Sequence, residues 1–118
     1  MNQAVISKIA DAIAFAEGYF KAGSRPRRNN NPGDLVRDPT GKGVGFDGPY
    51  VVYANPQDGR EALEHQVRLM FAGSHFYKPS MTLREVAQRW TTTQQQAWAF
   101  NVAHYLGVTV ETTLEEIH

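Results

Sequence analysis

Apolar residues recur at three- and four-residue steps in the first stretch of the chain, at Ile6, Ile9, Ile13, Ala16 and Phe20. That spacing is one face of a 3.6-residue repeat, and it predicts an amphipathic helix over residues 4–20. Gly18 and Gly23 flank its expected end. Residues 21–43 lose the period: Gly, Pro, Asn and Asp crowd together, Pro32-Gly33 is a turn signal, and the segment reads as loop. FDGPYVVYAN then reads as a β element, with Asp47-Gly48 suited to a tight turn and residues 50–53 short, aromatic and β-branched.

Helical spacing resumes after Asn55, which can cap, with Pro56 at the first helical position. Ala62, Leu63, Val67, Met70 and Phe71 supply the apolar stripe. GSHFYKPS is a connector. Ser80 or Thr82 starts a short helix carrying Leu83, Val86, Ala87 and Trp90, and TTTQQQ leads into another bearing Trp98, Val102 and Leu106 that Gly107 ends. TTLEEI closes the chain with a capping-box pattern, Thr113 three residues before Glu116. The expected fold is α+β and mostly α, a single domain over residues 1–118 with a small β element after the first helix.

Length and composition narrow the function. With 118 residues the chain can bury one core unaided. Its 12 basic and 12 acidic side chains cancel, whereas a protein that tracks nucleic-acid phosphates usually carries a basic excess. Zero cysteines exclude disulfide staples and thiolate chemistry. No run approaches the roughly 18 apolar residues of a membrane span. The N-terminus lacks the basic region and continuous apolar core of a signal peptide, since Asp11 interrupts it.

The candidate chemistry starts at Glu17. At roughly 100° per residue the five apolar positions cluster within about 80° of arc, and Glu17 lies about 60° from their centre. A carboxyl bordering a buried face has its charged form disfavoured, and the partial negative charge of a helix C-terminus acts in the same direction. A raised pKa is what a general acid needs to protonate a leaving oxygen near neutral pH. The ordinary alternative is a solvated glutamate, or one paired with Arg27 or Arg28. Asn29, Asn30 and Asn31 supply amide donors and acceptors beside it, and Asp34 adds a carboxylate. Such a loop suits sugar hydroxyls and N-acetyl groups, although asparagines also simply favour turns.

The order of these segments carries a resemblance. A helix ending in AEGY, the loop RNNNPGDL and the segment PYVVYANPQDGREALEHQV resemble a family of lysozyme-like peptidoglycan-cleaving domains of bacteria and phages. That family has a helix ending in Glu-Gly, an NNPGN-type loop, an aromatic strand and a helix with a P-x-x-G-x-x-A-L start, which here falls on Pro56, Gly59, Ala62 and Leu63. MTLREVAQRW and AWAFNVAHYLGVTVETTL are similar to its closing part, so the likeness covers nearly the whole chain. It implies a lysozyme-like fold and cleavage of the MurNAc–GlcNAc bond with Glu17 as general acid. Asn29, Asn30, Asn31 and the rest of the loop to Leu35 would border the sugar cleft. Two stretches depart from the pattern. Asp34 stands where the family loop usually has Asn, and TTTQQQ occupies a usually Asp-Asn-Asn-like stretch.

Hydrolysis by two carboxylates needs a partner roughly 5 to 9.5 Å from the acid. Asp34 is the first candidate, with Asp38 and Asp47 behind it. Without one, a single-glutamate mechanism closing a 1,6-anhydro ring, as in lytic transglycosylases, is the natural alternative. Tyr50 and Tyr53 can stack on sugars, but they stand an odd number of residues apart on a strand, so at most one faces the cleft. Trp90 and Trp98 read as mainly packing. His65, His75, His104 and His118 are scattered without metal-ligand spacing, so neither metal nor cofactor is expected. The expected partner is the glycan strand of the cell wall, met by a monomer that spans no membrane and is phage-borne or otherwise delivered to the periplasm or cell exterior. Two other readings stand beside this one. The first is a non-catalytic lysozyme-like module of a phage particle or secretion machine. The second, which neutral charge makes the weakest, is a nucleic-acid binder using Arg25, Arg27 and Arg28.

Overall fold

The computed structural model describes residues 2–118. Helix α1 runs Gln3–Ala16, with the Asn2 side chain accepting from Ala4 N–H at 2.8 Å as its N-cap. Ile6, Ile9 and Ile13 are buried on one face, as the spacing requires. The helix stops four residues before the apolar period does. Gly18, at φ +79°, takes the left-handed position; its N–H reaches Phe15 O while Tyr19 N–H reaches Ala14 O. Those two bonds form the Schellman closure, which makes Glu17 the C-cap residue. Phe20 therefore lies past the helix and is 55% exposed, although its spacing is in phase with the buried face.

The stretch read as loop contains a short helix, α2, at Arg25–Arg28. Ser24 caps it and Pro26 sits in its first turn, where a missing N–H costs nothing. Four residues are too few to show a period. Strands β1 (Gly45–Asp47) and β2 (Tyr50–Val52) then form an antiparallel hairpin in which Asp47 pairs with Tyr50. Its turn is Gly48-Pro49, with Gly48 at φ +58°.

Helix α3 (Pro56–Phe71) begins as its sequence indicates, with Asn55 Oδ1 accepting from Asp58 N–H at 2.8 Å. Helix α4 (Leu83–Trp90) starts from Thr82, whose hydroxyl and the Glu85 carboxylate form a complete capping box. Helix α5 (Gln95–Leu106) ends at Gly107, which is left-handed at φ +72°. The Thr113–Glu116 box closes a single 3-10 turn, Leu114–Glu116, and Thr82 pairs with Thr113 so that the C-terminal segment lies beside the start of α4.

Packing follows from the apolar stripes. Helix α1 lies against α3 and α5, and α4 against α5. The main core joins Ile6, Ile9 and Ile13 to Leu63, Val67 and Met70, and to Val86 and Val102. A smaller cluster of Leu35, Val51, Tyr53 and Ala62 lies under the hairpin, and Trp90 packs against both clusters. The result is an α+β architecture, mostly helix, with its small sheet after the first helix. Among the described residues no helix is long and apolar enough to cross a membrane.

One backbone contact sets the loop against α3. Gly59 lies so close to Asn30 that a Cβ there would meet the Asn30 carbonyl oxygen at 1.6 Å. Replacing Gly59 by Ala must push the loop off the helix, because the obstacle is backbone with no rotamer to yield. The Gly59→Ala protein is expected to lose about 1–3 kcal/mol of stability, an overpacking cost. Urea titration checks this, and an unchanged midpoint would mean that the loop and helix do not meet.

Candidate active site

The C-cap position fixes where Glu17 points. Its Oε2 accepts two indole N–H bonds, from Trp90 Nε1 and from Trp98 Nε1, each at 2.9 Å. Trp90 is the last residue of α4 and Trp98 lies in the first turn of α5, so three helix termini converge on one carboxylate oxygen. The indoles stack with ring centroids 5.7 Å apart and an interplanar angle of 26°. Buried indole N–H groups need an acceptor, and the rings around them exclude water.

Burial dominates the electrostatics. It pushes the Glu17 carboxyl from an ordinary value of 4.5 up to about 7, against the Trp98 hydrogen bond, which favours the charged form. The Asp34 charge raises the value further, while the Trp90 bond and Arg25 oppose it. A carboxylate oxygen has two in-plane lone pairs, and both on Oε2 are engaged. The acidic proton is therefore carried on Oε1, which leaves Glu17 with one designated donor oxygen.

Glu17 lines a polar cleft of about 450 Å³ together with Arg25, Asp34 and Tyr50, the Thr91-Thr92-Thr93-Gln94 segment, and Asn101. Asp34 is the second carboxylate lining it. It is not free. Arg25 Nε donates to Oδ1 at 3.2 Å and to Oδ2 at 3.1 Å, and Nη2 adds a bond to Oδ2. The Asp34 side chain is only 6% exposed. The guanidinium is itself seated 3.7 Å over the Tyr50 ring. Asp34 thus presents a fixed charge, and water has little access to its oxygens.

The asparagines do something other than face a sugar. Asn31 is fully buried; its Nδ2 donates to Leu35 O and Val51 O, and its Oδ1 accepts from Leu35 N–H. Asn30 Nδ2 donates to Tyr53 O, and Asn29 Nδ2 to Asp47 Oδ2. None of the three lines the cleft. Asn31 ties the loop to Val51 of β2, Asn30 to Tyr53 just after it and Asn29 to Asp47 of β1, reinforcing the backbone bonds from Val51 N–H to Leu35 O and from Tyr53 N–H to Asn29 O. Tyr53 is likewise buried, with its hydroxyl donating to Asp38 at 3.0 Å, while Tyr50 reaches the cleft. That split is the one the odd step requires.

Asp38 and Asp47 are also committed elsewhere. Burial would raise Asp38, but bonds from Gly43 N–H, the Tyr53 hydroxyl and Thr40 outweigh it and hold the carboxyl below its usual value. Asp47 pairs with Arg28 at 3.7 Å. Trp90 and Trp98 do pack, as their stripes indicate, and in addition they hold the acid. Their spacing signals only the packing; the usable signal is that two buried indole donors require acceptors. Arg25 and the threonine segment carry no such signal. Among the described residues no cluster of His, Asp and Glu is arranged to hold a metal ion. Comparison with known proteins adds no assignment: no family model, curated protein or solved structure matches the chain.

The burial of Glu17 has two measurable outcomes. Carbon-13 carboxyl titration is expected to show Glu17 protonating near pH 7, and Trp98→Phe is expected to move that midpoint upward, because the lost N–H favoured the charged form. A midpoint near 4.5 would show a solvated group. The second outcome concerns stability. Below pH 4.5 both folded and unfolded forms hold the proton; between 4.5 and about 7 only the folded form does, so stability falls as pH rises through that window. The cost at pH 8 is up to about 3 kcal/mol. Glu17→Gln is expected to remove it, so the variant should gain stability over the wild type at pH 8 more than at pH 4 in thermal melts.

Proposed function

We propose that the protein cleaves the glycan strand of peptidoglycan at the MurNAc–GlcNAc β-1,4 bond, with Glu17 as general acid. The observation that carries this reading is a single carboxyl, shielded from water, with a pKa of about 7, whose Oε2 is held by two indoles at the wall of a polar cleft. Oε1 would deliver its proton to the leaving glycosidic oxygen, and the anion left behind would be stabilised at once by the two N–H donors. The Asp34–Arg25 ion pair stands fixed in the wall of the same cleft. The resemblance of the Glu-Gly helix end, the NNNPGD loop and the closing helices to lysozyme-like domains supports the same substrate.

The forked Arg25 clamp bears on the step after bond breaking. An aspartate held by three hydrogen bonds from a guanidinium is poorly free to turn a water, and this supports the route in which the sugar's own hydroxyl closes a 1,6-anhydro ring and the Glu17 carboxylate takes the proton that this hydroxyl loses. Water attack gives reducing ends instead. The same clamp is the one observation that favours a non-catalytic, wall-binding module, in which the cleft holds glycan without turnover.

The test uses purified protein and wall suspensions. Wild type is expected to release soluble fragments, and Glu17→Gln to lose about 10²–10⁴-fold in rate, as general acids do when removed, while keeping its fold. The wild-type rate should fall as pH rises above about 7 and the acid discharges. Mass analysis separates 1,6-anhydro from reducing ends. Full activity in Glu17→Gln would sink the reading, and binding without any product would establish the module.

A further inference from the structure

The cleft does not end at Glu17. A second lobe of about 410 Å³ adjoins the first, sharing Asp34, Val36 and Trp90 as common walls, and its lining also carries Arg37, His75, Phe76 and Arg89. Its charge is one-sided. Asp34, the acidic residue in its lining, is already neutralised by Arg25. Arg25, Arg28, Arg60, Arg68 and Arg84 each have a carboxylate within ion-pair distance, and Arg27 lies over the Tyr19 ring. Arg37 and Arg89 have no such partner among the described residues; the Arg37 guanidinium meets the His75 ring nitrogen Nδ1 at 3.0 Å.

The two guanidiniums act on one place. Both lower the pKa of the Tyr77 hydroxyl, which burial nonetheless pushes up to about 12, so both charges bear on the same wall of the lobe. Phe76, at 81% exposure, and Val36 stand beside them as an apolar rim. Two forked cations with apolar contacts between solvent and wall suit a ligand that alternates carboxylates with small apolar side chains. A phosphate polymer would satisfy the arginines but leave Phe76 with nothing to cover it.

We propose that this second lobe is a carboxylate subsite, in which Arg37 and Arg89 take the free carboxylates of the peptide that the wall glycan carries. The inference rests on reading the Glu17 lobe as a glycan cleft, and it deepens that reading: the substrate is peptide-bearing glycan in preference to the bare strand. The peptide is attached to the strand, so a lobe that shares walls with the glycan lobe lies within its reach.

Binding tests this without turnover. Glu17→Gln protein is titrated calorimetrically with soluble glycan chains bearing the peptide, with the same chains after enzymatic removal of the peptide, and with inorganic polyphosphate. The peptide-bearing chain is expected to bind about tenfold more tightly than the bare one, the worth of one or two charge-assisted hydrogen bonds. Adding Arg37→Gln and Arg89→Gln should bring that ratio to one while leaving affinity for bare glycan unchanged. Both residues are exposed, so the fold is not at stake, and circular dichroism verifies it. A ratio of one in the parent, a ratio that survives the double substitution, or polyphosphate outcompeting the peptide-bearing chain overturns the proposal. Wall clearing by the wild type is read separately. A preserved ratio without clearing removes the catalytic reading and keeps the subsite, and clearing with a ratio of one does the reverse.

Discussion

The Oε2 atom of Glu17 is where the packing of the molecule and its chemistry meet. Two indole donors, one at the end of α4 and one at the start of α5, share that oxygen at the C-cap of α1. Both interactions depend on the helices being docked, since neither tryptophan is near Glu17 in sequence. The docking is driven by burial of Ile6, Ile9, Ile13, Val86 and Val102 in one core. Indole suits this role better than a hydroxyl because it brings a donor and a large apolar surface together. The rings desolvate the carboxyl, which favours the neutral acid, while their N–H groups hold its orientation and stand ready for the anion. These two effects oppose each other in the pKa, and desolvation wins.

A second chain of constraints places Asp34. The missing Cβ of Gly59 lets α3 touch the Asn30 backbone, Asn30 reaches Tyr53, and Asn31 bonds the carbonyls of both Leu35 and Val51, which are themselves joined backbone to backbone. Held at both ends, the turn carries Asp34 at φ +50°, a conformation that aspartate tolerates better than most residues. Arg25 on the short helix α2 then meets it as a fork, with Tyr50 of β2 beneath. The triple asparagine therefore acts on the cleft indirectly: two of its amides hold backbone and the third holds the Asp47 carboxylate, while the aspartate and arginine beside them line the cleft.

Much of the fold is legible in the sequence, because helices α1, α3, α4 and α5 each bury a stripe with a clear period and carry recognisable caps. The end of α1 is misjudged for a specific reason. Phe20 stays in phase with the apolar face, whereas the left-handed turn at Gly18 leaves no periodic trace. Helix α2 is too short for any period. Within the site, the place of Glu17 follows from helix geometry, and the division between Tyr50 and Tyr53 from strand alternation. The roles of Asn29, Asn30 and Asn31 are not legible, since an amide facing backbone and one facing a sugar have the same composition. Trp90 and Trp98 illustrate the converse: an apolar stripe conceals the single polar atom that each contributes to the acid.

The balance at Glu17 also says what tunes it. Asp34 and Arg25 act on it with opposite sign and are bound to each other, so from the position of Glu17 they partly offset one another. The dominant influence is burial of the carboxyl, opposed by the two indole N–H groups. On the glycan reading, a sugar entering the cleft removes more water from the open side of the carboxyl and adds no charge. That shifts the balance further towards the protonated form, so ligand entry loads the acid rather than discharging it. A site tuned chiefly by opposed charges would lack this property, because screening by salt would weaken it before the ligand arrived. On that reading, holding the carboxyl by two indoles, with its charged neighbours already paired, makes proton loading a consequence of filling the cleft.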